Sequence, residues 1–108
     1  MPDTSEFKLC LTNVADKQAA RDLAQLLLQL KLVACVNITS DMTSFYIWQG
    51  KIVEDNEVML LMKTHQSKIE QLRCLIKEKH SYDLPEFIVL DIQSGSSEYL
   101  DWIKTSLE

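Results

Sequence analysis

A long run of strand-forming residues around a two-residue turn limits how this chain can fold. The run from Met42 to Trp48 leads into Gln49-Gly50, and Lys51 to Thr64 is predicted to be the returning strand. Glycine at the second central position suits a type I′ turn, which requires positive φ. The returning strand spans about 46 Å at roughly 3.3 Å per residue, whereas a domain of this length is roughly 34 Å across. The sequence therefore predicts a hairpin that projects beyond its own domain.

The projecting end of this hairpin carries large apolar side chains, which are Phe45, Tyr46, Ile47, Trp48, Ile52 and Val53. A solitary hairpin with that surface is marginally stable and prone to aggregate. We therefore expect the hairpin to pair with a neighbouring subunit, so that the protein is an oligomer. The alternative is a hairpin that folds back onto its own sheet at the break formed by Ser40-Asp41.

The remaining residues alternate between strand periods of two and helical steps of three and four. Before the turn they predict a strand from Phe7 to Thr12, a helix capped by Asp16 that runs to about Lys31, and one long kinked strand from Ala34 to Trp48. After the returning strand they predict a helix that starts at the capping box Ser67-x-x-Glu70 and ends near His80, a strand from Glu86 to Ile92, and a terminal helix through Leu100, Ile103 and Leu107.

This order predicts an α+β fold of the ferredoxin-like βαββαβ type, with helices on one face of an antiparallel sheet and an extra C-terminal helix. The chain has 108 residues, only 2 glycines and 2 prolines, and no linker-like stretch. We therefore expect a single domain over residues 1–108. Residues 1–6 are polar and acidic, and we expect them to form a disordered tail.

The charge balance argues against nucleic acid as a partner. Lys and Arg number 11 against 16 Asp and Glu, for a net charge of -5, and the basic residues are scattered. Such a chain repels a polyanion. Its apolar runs are far shorter than the roughly 18 residues of a membrane helix, so we expect no membrane span.

The cysteines and the N-terminal residues favour a cytoplasmic protein. Cys10, Cys35 and Cys74 form an odd, widely spaced set, unlike a disulfide framework or a thiolate zinc site. The first six residues lack the basic start and apolar stretch of a secretory signal. We therefore expect reduced thiols and a cytoplasmic location.

Several strings, in this order and spacing, make the chain similar to proteins of the CutA (divalent-cation tolerance) family from about Phe7 to Leu107. They are Lys31-Leu32-Val33-Ala34-Cys35-Val36, Ser44-Phe45-Tyr46-Ile47-Trp48-Gln49-Gly50-Lys51, Glu57-Val58, Leu61-Met62-Lys63-Thr64, His80-Ser81-Tyr82-Asp83-Leu84-Pro85-Glu86 and Tyr99-Leu100-Asp101-Trp102. The resemblance implies a homotrimer built by strand exchange at the hairpin, with an architecture like that of PII-type signalling proteins. It also implies a non-enzymatic role in tolerance of copper and other divalent metals, with no obligatory cofactor and with Cu(II) or another divalent cation as the ligand to expect.

The resemblance also directs attention to metal ligands. In some members, metal binding is attributed to a first-strand cysteine and to a His-His pair after the second helix, and these positions hold Thr12 and Lys79-His80 here. His80 is the best single candidate for a metal ligand, and Cys10, one alternation before Thr12, is a soft candidate for copper. The alternatives are a histidine that interacts with the helix C-terminus and a cysteine that acts as a small buried apolar residue.

A second set of candidates consists of Trp48, Glu57, Lys63 and Tyr82. Glu57 and Lys63 are separated by an even number of residues in one strand, so both point to the same face of the sheet. The resemblance implies that they face an intersubunit cleft together with Tyr82. There they could hold a small anion in a ligand-sensing or catalytic trimer. The alternatives are an interface ion pair and, for Trp48, packing against a neighbouring subunit.

Overall fold

The structure, a computed structural model, describes residues 6–108. Its elements are strand β1 (Phe7–Val14), helix α1 (Lys17–Gln29), strands β2 (Cys35–Ile38), β3 (Met42–Trp48) and β4 (Lys51–His65), helix α2 (Ile69–Lys79), strand β5 (Ile88–Asp91) and helix α3 (Ser97–Ser106). A short 3-10 turn, Gln66–Lys68, precedes α2. The predicted disordered tail falls on residues 1–6, of which only Glu6 is described, and its carboxylate lies 3.3 Å from the His65 ring. The single domain over residues 1–108 stays a prediction.

The strands form one antiparallel sheet in the order β2-β4-β1-β5, with β3 also paired to β4. The unit β1-α1-β2 and the unit β4-α2-β5 therefore interleave their strands in the sheet. This is the ferredoxin-like arrangement predicted from the order of elements. The α+β fold class is confirmed. No helix within residues 6–108 has the length and apolar character that crossing a membrane would require.

The main core lies between one face of the sheet and helices α1 and α2. The helices contribute apolar stripes at helical spacing, which are Ala20, Leu23, Ala24 and Leu27 from α1 and Leu72 and Ile76 from α2. Alternate residues of the central strands meet them, which are Cys10, Val14, Val58, Leu60 and Met62. On the other face, α3 covers Phe7 with Leu100, Ile103 and Leu107. The C-terminal helix therefore covers only one end of that second face.

The hairpin turn is of the predicted type, since Gln49 has φ 52° and Gly50 has φ 79°. The prediction of one long kinked strand before it is wrong, because β2 and β3 are separate strands on the same partner. Ile38 pairs with Leu60 and Met42 pairs with Glu57, so that the three residues 39–41 lie opposite the two residues 58 and 59. This extra residue is a β-bulge, which bends the hairpin and increases its twist.

Other predicted boundaries also change. The capping box is wrong, because the His65 ring accepts the Ser67 amide at 3.1 Å and begins a 3-10 turn there, while Glu70 pairs with Arg73 instead. Helix α1 ends at Gln29 rather than near Lys31. The last strand, Ile88–Asp91, is shorter than the predicted strand from Glu86 to Ile92. The carbonyl of Glu86 instead accepts a hydrogen bond from the Thr12 hydroxyl at 2.6 Å, before the backbone pairing of β5 with β1 begins.

The hairpin elongates the molecule. Its principal extents are 46 × 29 × 24 Å, and its radius of gyration is 14.7 Å. Phe45, Ile47 and Ile52 on the hairpin are 67%, 75% and 79% exposed. The hairpin therefore projects with its apolar side chains in solvent, as the strand lengths predict.

Candidate functional site

A cleft of about 810 Å³ separates the hairpin from the loop that follows α2. Trp48 and Glu57 line it from the hairpin, and Tyr82 lines it from the loop. Three of the four predicted cleft residues are thus brought together within one protomer. The fourth, Lys63, does not line this cleft, since it lies six residues farther along β4, a separation of about 20 Å.

The centre of the cleft is the contact between Glu57 and Tyr82. Glu57 is only 8% exposed, and its Oε2 accepts a hydrogen bond from the Tyr82 hydroxyl at 3.0 Å. Burial, the hydrogen bond to Glu57 and the nearby negative charges raise the pKa of Tyr82 to about 12. The phenol therefore stays protonated near neutral pH and remains a hydrogen-bond donor to Glu57.

Asn13 and Glu86 form a second polar contact at the same cleft. The Asn13 amide nitrogen donates to Glu86 Oε1 at 3.4 Å, while Asn13 Oδ1 is buried without a hydrogen-bond partner. Burial, followed by the charge of Glu57, raises the pKa of the Glu86 carboxyl above its ordinary value. The negative charge of the Glu57 carboxylate therefore adds to burial in disfavouring the ionisation of Glu86.

Tyr46 and Asp55 extend this acidic surface along the hairpin. The Tyr46 hydroxyl donates to Asp55 Oδ2, and this bond is the main reason that the pKa of Tyr46 is raised. The β3–β4 pairing, in which Ser44 lies opposite Asp55, places both side chains on the face that also carries Glu57. The cleft thus combines carboxylates with aromatic rings.

Lys63 belongs to a different environment. Its Nζ lies 5.6 Å from the centre of the Tyr99 ring, over α3. Along β4, Val58, Leu60, Met62 and Thr64 are buried on the helix-packed face, so Glu57 and Lys63 share the opposite face as predicted. Within one protomer, however, they do not form a common site.

His80 holds the loop that carries Tyr82. Its Nε2 lies 2.6 Å from the Asn13 carbonyl, and its Nδ1 accepts the Tyr82 amide at 3.1 Å. These two bonds assign the proton to Nε2 and use the Nδ1 lone pair. Binding a metal at Nδ1 would therefore require the loss of the bond to Tyr82.

Cys10, the other predicted metal ligand, is fully buried among the apolar residues under α1 and α2. Burial raises the pKa of its thiol to about 11, opposed only by the charge of Lys8. It is therefore a neutral thiol near pH 7 rather than a thiolate. Among the residues that the structure describes, no group of three or more His, Cys, Asp and Glu side chains could hold a metal ion.

The sequence reasoning missed Asn13, Tyr46 and Asp55 as members of the cleft. For Tyr46 and Asp55 a signal existed, because a two-residue turn at Gln49-Gly50 fixes which residues lie opposite each other in the hairpin. Asn13 gave no such signal. Its place in the cleft depends on the path of the loop after α2.

Comparison with known proteins supports the resemblance noted in the sequence. The chain matches the family described as CutA1 divalent ion tolerance protein over residues 8–106. It is 41% identical over 97 residues to the divalent-cation tolerance protein CutA of Thermus thermophilus, covering 90% of this chain and 94% of that one. It is 44% identical over 93 residues to the protein CutA, chloroplastic, of Arabidopsis thaliana, covering 86% of this chain and 51% of that one. The chain therefore spans about half the length of the Arabidopsis relative.

The fold agrees with that of a solved member. The structure titled periplasmic divalent cation tolerance protein CutA from Archaeoglobus fulgidus superposes with a TM-score of 0.91 at 34% identity, covering 94% of this chain and 99% of that one. Sequence and fold therefore agree over nearly the whole described chain. This protein belongs to the CutA1 family of divalent ion tolerance proteins.

Proposed function

We propose that this protein is a non-enzymatic homotrimer that acts in the cytoplasm in tolerance of, or response to, divalent metals, copper in particular. The observation that carries the proposal is the match over residues 8–106 to a family named for divalent ion tolerance. The proposed assembly resembles that of PII-type signalling trimers. It needs no obligatory cofactor, and Cu(II) or another divalent cation is its expected ligand.

Two exposed apolar surfaces support the homotrimer. The first is the hairpin, whose Phe45, Ile47 and Ile52 are in solvent. The second is β5, an edge strand whose Ile88, Val89 and Leu90 are 39% to 44% exposed. An open apolar edge strand and a projecting apolar hairpin are both stabilised by pairing with another copy.

The thiols and the charge support the cytoplasmic setting and the absence of nucleic-acid partners. Cys10, Cys35 and Cys74 are free, as expected in a reducing compartment. The net charge of -5 disfavours binding to a polyanion.

The proposal is tested first by measuring mass with light scattering at micromolar protein, with and without Cu(II) and a chelator. A mass of about three protomers in all conditions supports a metal-independent trimer. A monomer that trimerises only with copper would make metal the assembly signal. A monomer in every condition contradicts the proposed assembly.

The copper part is tested by calorimetric titration of Cu(II) into the wild type, His80→Asn and His65→Asn. His65 is the matched control, because the chain has only 2 histidines and His65 lies at the other end of the sheet. If His80 is a ligand, only His80→Asn weakens Cu(II) binding. Equal affinities in all three proteins exclude His80 as a ligand.

A further inference from the structure

The end of β4 farthest from the hairpin turn carries a histidine that caps the start of α2. His65 is the last residue of β4, and its Nδ1 accepts a hydrogen bond from the Ser67 amide at 3.1 Å. This bond begins the 3-10 turn Gln66–Lys68, which continues directly into α2. The first amides of a helix need acceptors from outside the helix. The His65 ring therefore takes the place of the Ser, Thr, Asp or Asn side chain that usually supplies such an acceptor.

The contacts of the two ring nitrogens select one protonation state of His65. Nδ1 must be unprotonated to accept the Ser67 amide, and the Ser67 hydroxyl lies 2.9 Å from the same nitrogen. Nε2 lies 3.3 Å from the Glu6 carboxylate, which can only accept a hydrogen bond when it is ionised. The arrangement therefore fits the neutral ring with its proton on Nε2. A second proton, on Nδ1, would turn the acceptor into a donor and remove the bond to the Ser67 amide.

The packing of the ring leaves it open to protons from solvent. His65 lies opposite Phe7 in the β1–β4 pairing, and the two rings meet edge to face with their centroids 5.3 Å apart. Phe7 in turn is buried beneath α3, so this contact holds the His65 ring in place. The His65 side chain is nevertheless 17% exposed. It can therefore take up a proton while the core around Phe7 stays packed.

Charges of both signs face the ring. Glu6 lies beside Nε2, and Lys68, Lys104 and Glu108 line a hollow of about 190 Å³ next to His65. The two carboxylates favour the protonated ring, whereas the two ammonium groups and the positive end of the α2 dipole oppose it. Histidine ordinarily changes its charge between about pH 5 and 8. A contact that requires its neutral form is therefore sensitive to pH.

We propose that His65 is a pH-sensitive cap, whose neutral ring holds the turn that starts α2 and whose protonation releases it. The released segment is the turn Gln66–Lys68, while the protonated ring stays beside the Glu6 carboxylate. The change is local, because Leu72 and Ile76 keep the body of α2 packed in the core. The inference is independent of copper binding and of the trimer.

The tautomer is tested first, by nuclear magnetic resonance on the full chain. At about pH 8, above the range in which histidine ordinarily takes up a proton, the ring nitrogen shifts of His65 should show a protonated Nε2 and an unprotonated Nδ1. A neutral ring with its proton on Nδ1 could not accept the Ser67 amide. That result would overturn the proposal.

Hydrogen exchange then measures the cap itself. We expect the protection of the Ser67 amide, corrected for the intrinsic exchange rate, to fall about fivefold as the His65 ring becomes protonated, which is the effect of losing a typical helix cap. The loss should follow the His65 titration, read from the ring protons of the same sample. Protection that does not change as His65 titrates would contradict the proposal.

Variants separate the cap from other effects of pH. His65→Asn keeps a capping oxygen that does not titrate, so the protection of Ser67 should become independent of pH. Glu6→Gln removes a charge that favours the protonated ring, so the loss of protection should move to lower pH. His80→Asn is the matched control, because His80 also accepts an amide through Nδ1 but at the other end of α2. It should keep the pH dependence of the wild type at Ser67.

Two outcomes of the variant experiments count against the cap. They are a pH dependence at Ser67 that survives in His65→Asn, and one that disappears in His80→Asn but not in His65→Asn. The tautomer and the wild-type titration need no variant, so they test the proposal even if His65→Asn fails to fold.

Discussion

His80 is a candidate metal ligand in the sequence, but in the structure its imidazole holds the loop after α2 in place. Its two ring nitrogens join the Asn13 carbonyl and the Tyr82 amide, which fixes the start of the loop after α2. That loop carries Tyr82 to the buried carboxylate of Glu57. At the scale of single residues, His80 therefore acts on the cleft through Tyr82.

The buried thiol of Cys10 predicts a loss of stability at alkaline pH. Its pKa is raised from an ordinary value of 9.0 to about 11, so the folded state holds its proton more tightly than the unfolded state does. This contribution is fully present below pH 9 and is lost as the pH rises through 11. We expect a decrease of about 2 kcal/mol in the free energy of unfolding between these pH values from Cys10 alone.

Urea unfolding of the wild type and Cys10→Ala at pH 7, 9 and 11 measures this contribution. Cys10→Ala is expected to be less stable at pH 7, because it leaves a cavity, but to lose less stability by pH 11. Cys74→Ala, at an exposed position, is the control and should follow the wild type. Parallel pH profiles for the wild type and Cys10→Ala would contradict the prediction.

The cleft could be predicted from the sequence only in part. Strand alternation places Glu57 and Lys63 on one face, which the structure confirms. Lys63 is nevertheless separated from the cleft by six residues of β4, about 20 Å, and its ammonium group lies beside Tyr99 of α3 instead. Asn13 enters the cleft because the loop after α2 passes over the end of β1, and no local pattern encodes that contact.

At the scale of elements, the turn and the bulge shape the hairpin. The turn is predictable, because glycine at the second central position is a local signal. The bulge is not predictable, because in the sequence Ser40-Asp41 only interrupts the strand pattern. The extra residue can be identified only when β2 and β3 are both aligned with β4. The predicted capping box is also absent, because the His65 ring, rather than the Glu70 carboxylate, accepts the hydrogen bond from the Ser67 amide.

The left-handed conformation of Gly50 makes it sensitive to substitution. A Cβ at Gly50 would meet no atom within 4 Å, so Gly50→Ala is opposed only by its φ of +79°. We expect it to lower the free energy of unfolding by about 1 kcal/mol. Urea denaturation measures the change.

Gly95→Ala is the comparison for this prediction. Gly95 has no such backbone requirement, and its added Cβ would make contact at 3.4 Å with the flexible side chain of Leu100. We expect Gly50→Ala to be the more destabilising of the two substitutions. Equal or reversed effects would show that the turn does not depend on glycine at position 50.

At the scale of the whole molecule, the apolar surface is divided between the hairpin and the edge of the sheet. Ile47 and Ile52 pair with each other across the hairpin and are the two most exposed of its apolar residues. Replacing both by lysine puts two charges where the proposed assembly buries apolar side chains. We expect Ile47→Lys/Ile52→Lys to reduce the mass from about three protomers to one in light scattering.

Leu30→Lys is the control for this double variant, because Leu30 is 51% exposed after α1, away from the hairpin. It should keep the mass of the wild type. If the hairpin variant also keeps that mass, the proposed interface does not include the end of the hairpin.

The bulge at residues 39–41 has a consequence for insertions and deletions. Deleting one of these residues leaves the pairs on both sides in place, so β2 and β3 would merge into one regular strand with every side chain on its present face. A deletion inside β4 has the opposite effect, because it turns Glu57 toward the face that now carries Leu60. Variation in chain length is therefore tolerable on one side of this hairpin and disruptive on the other.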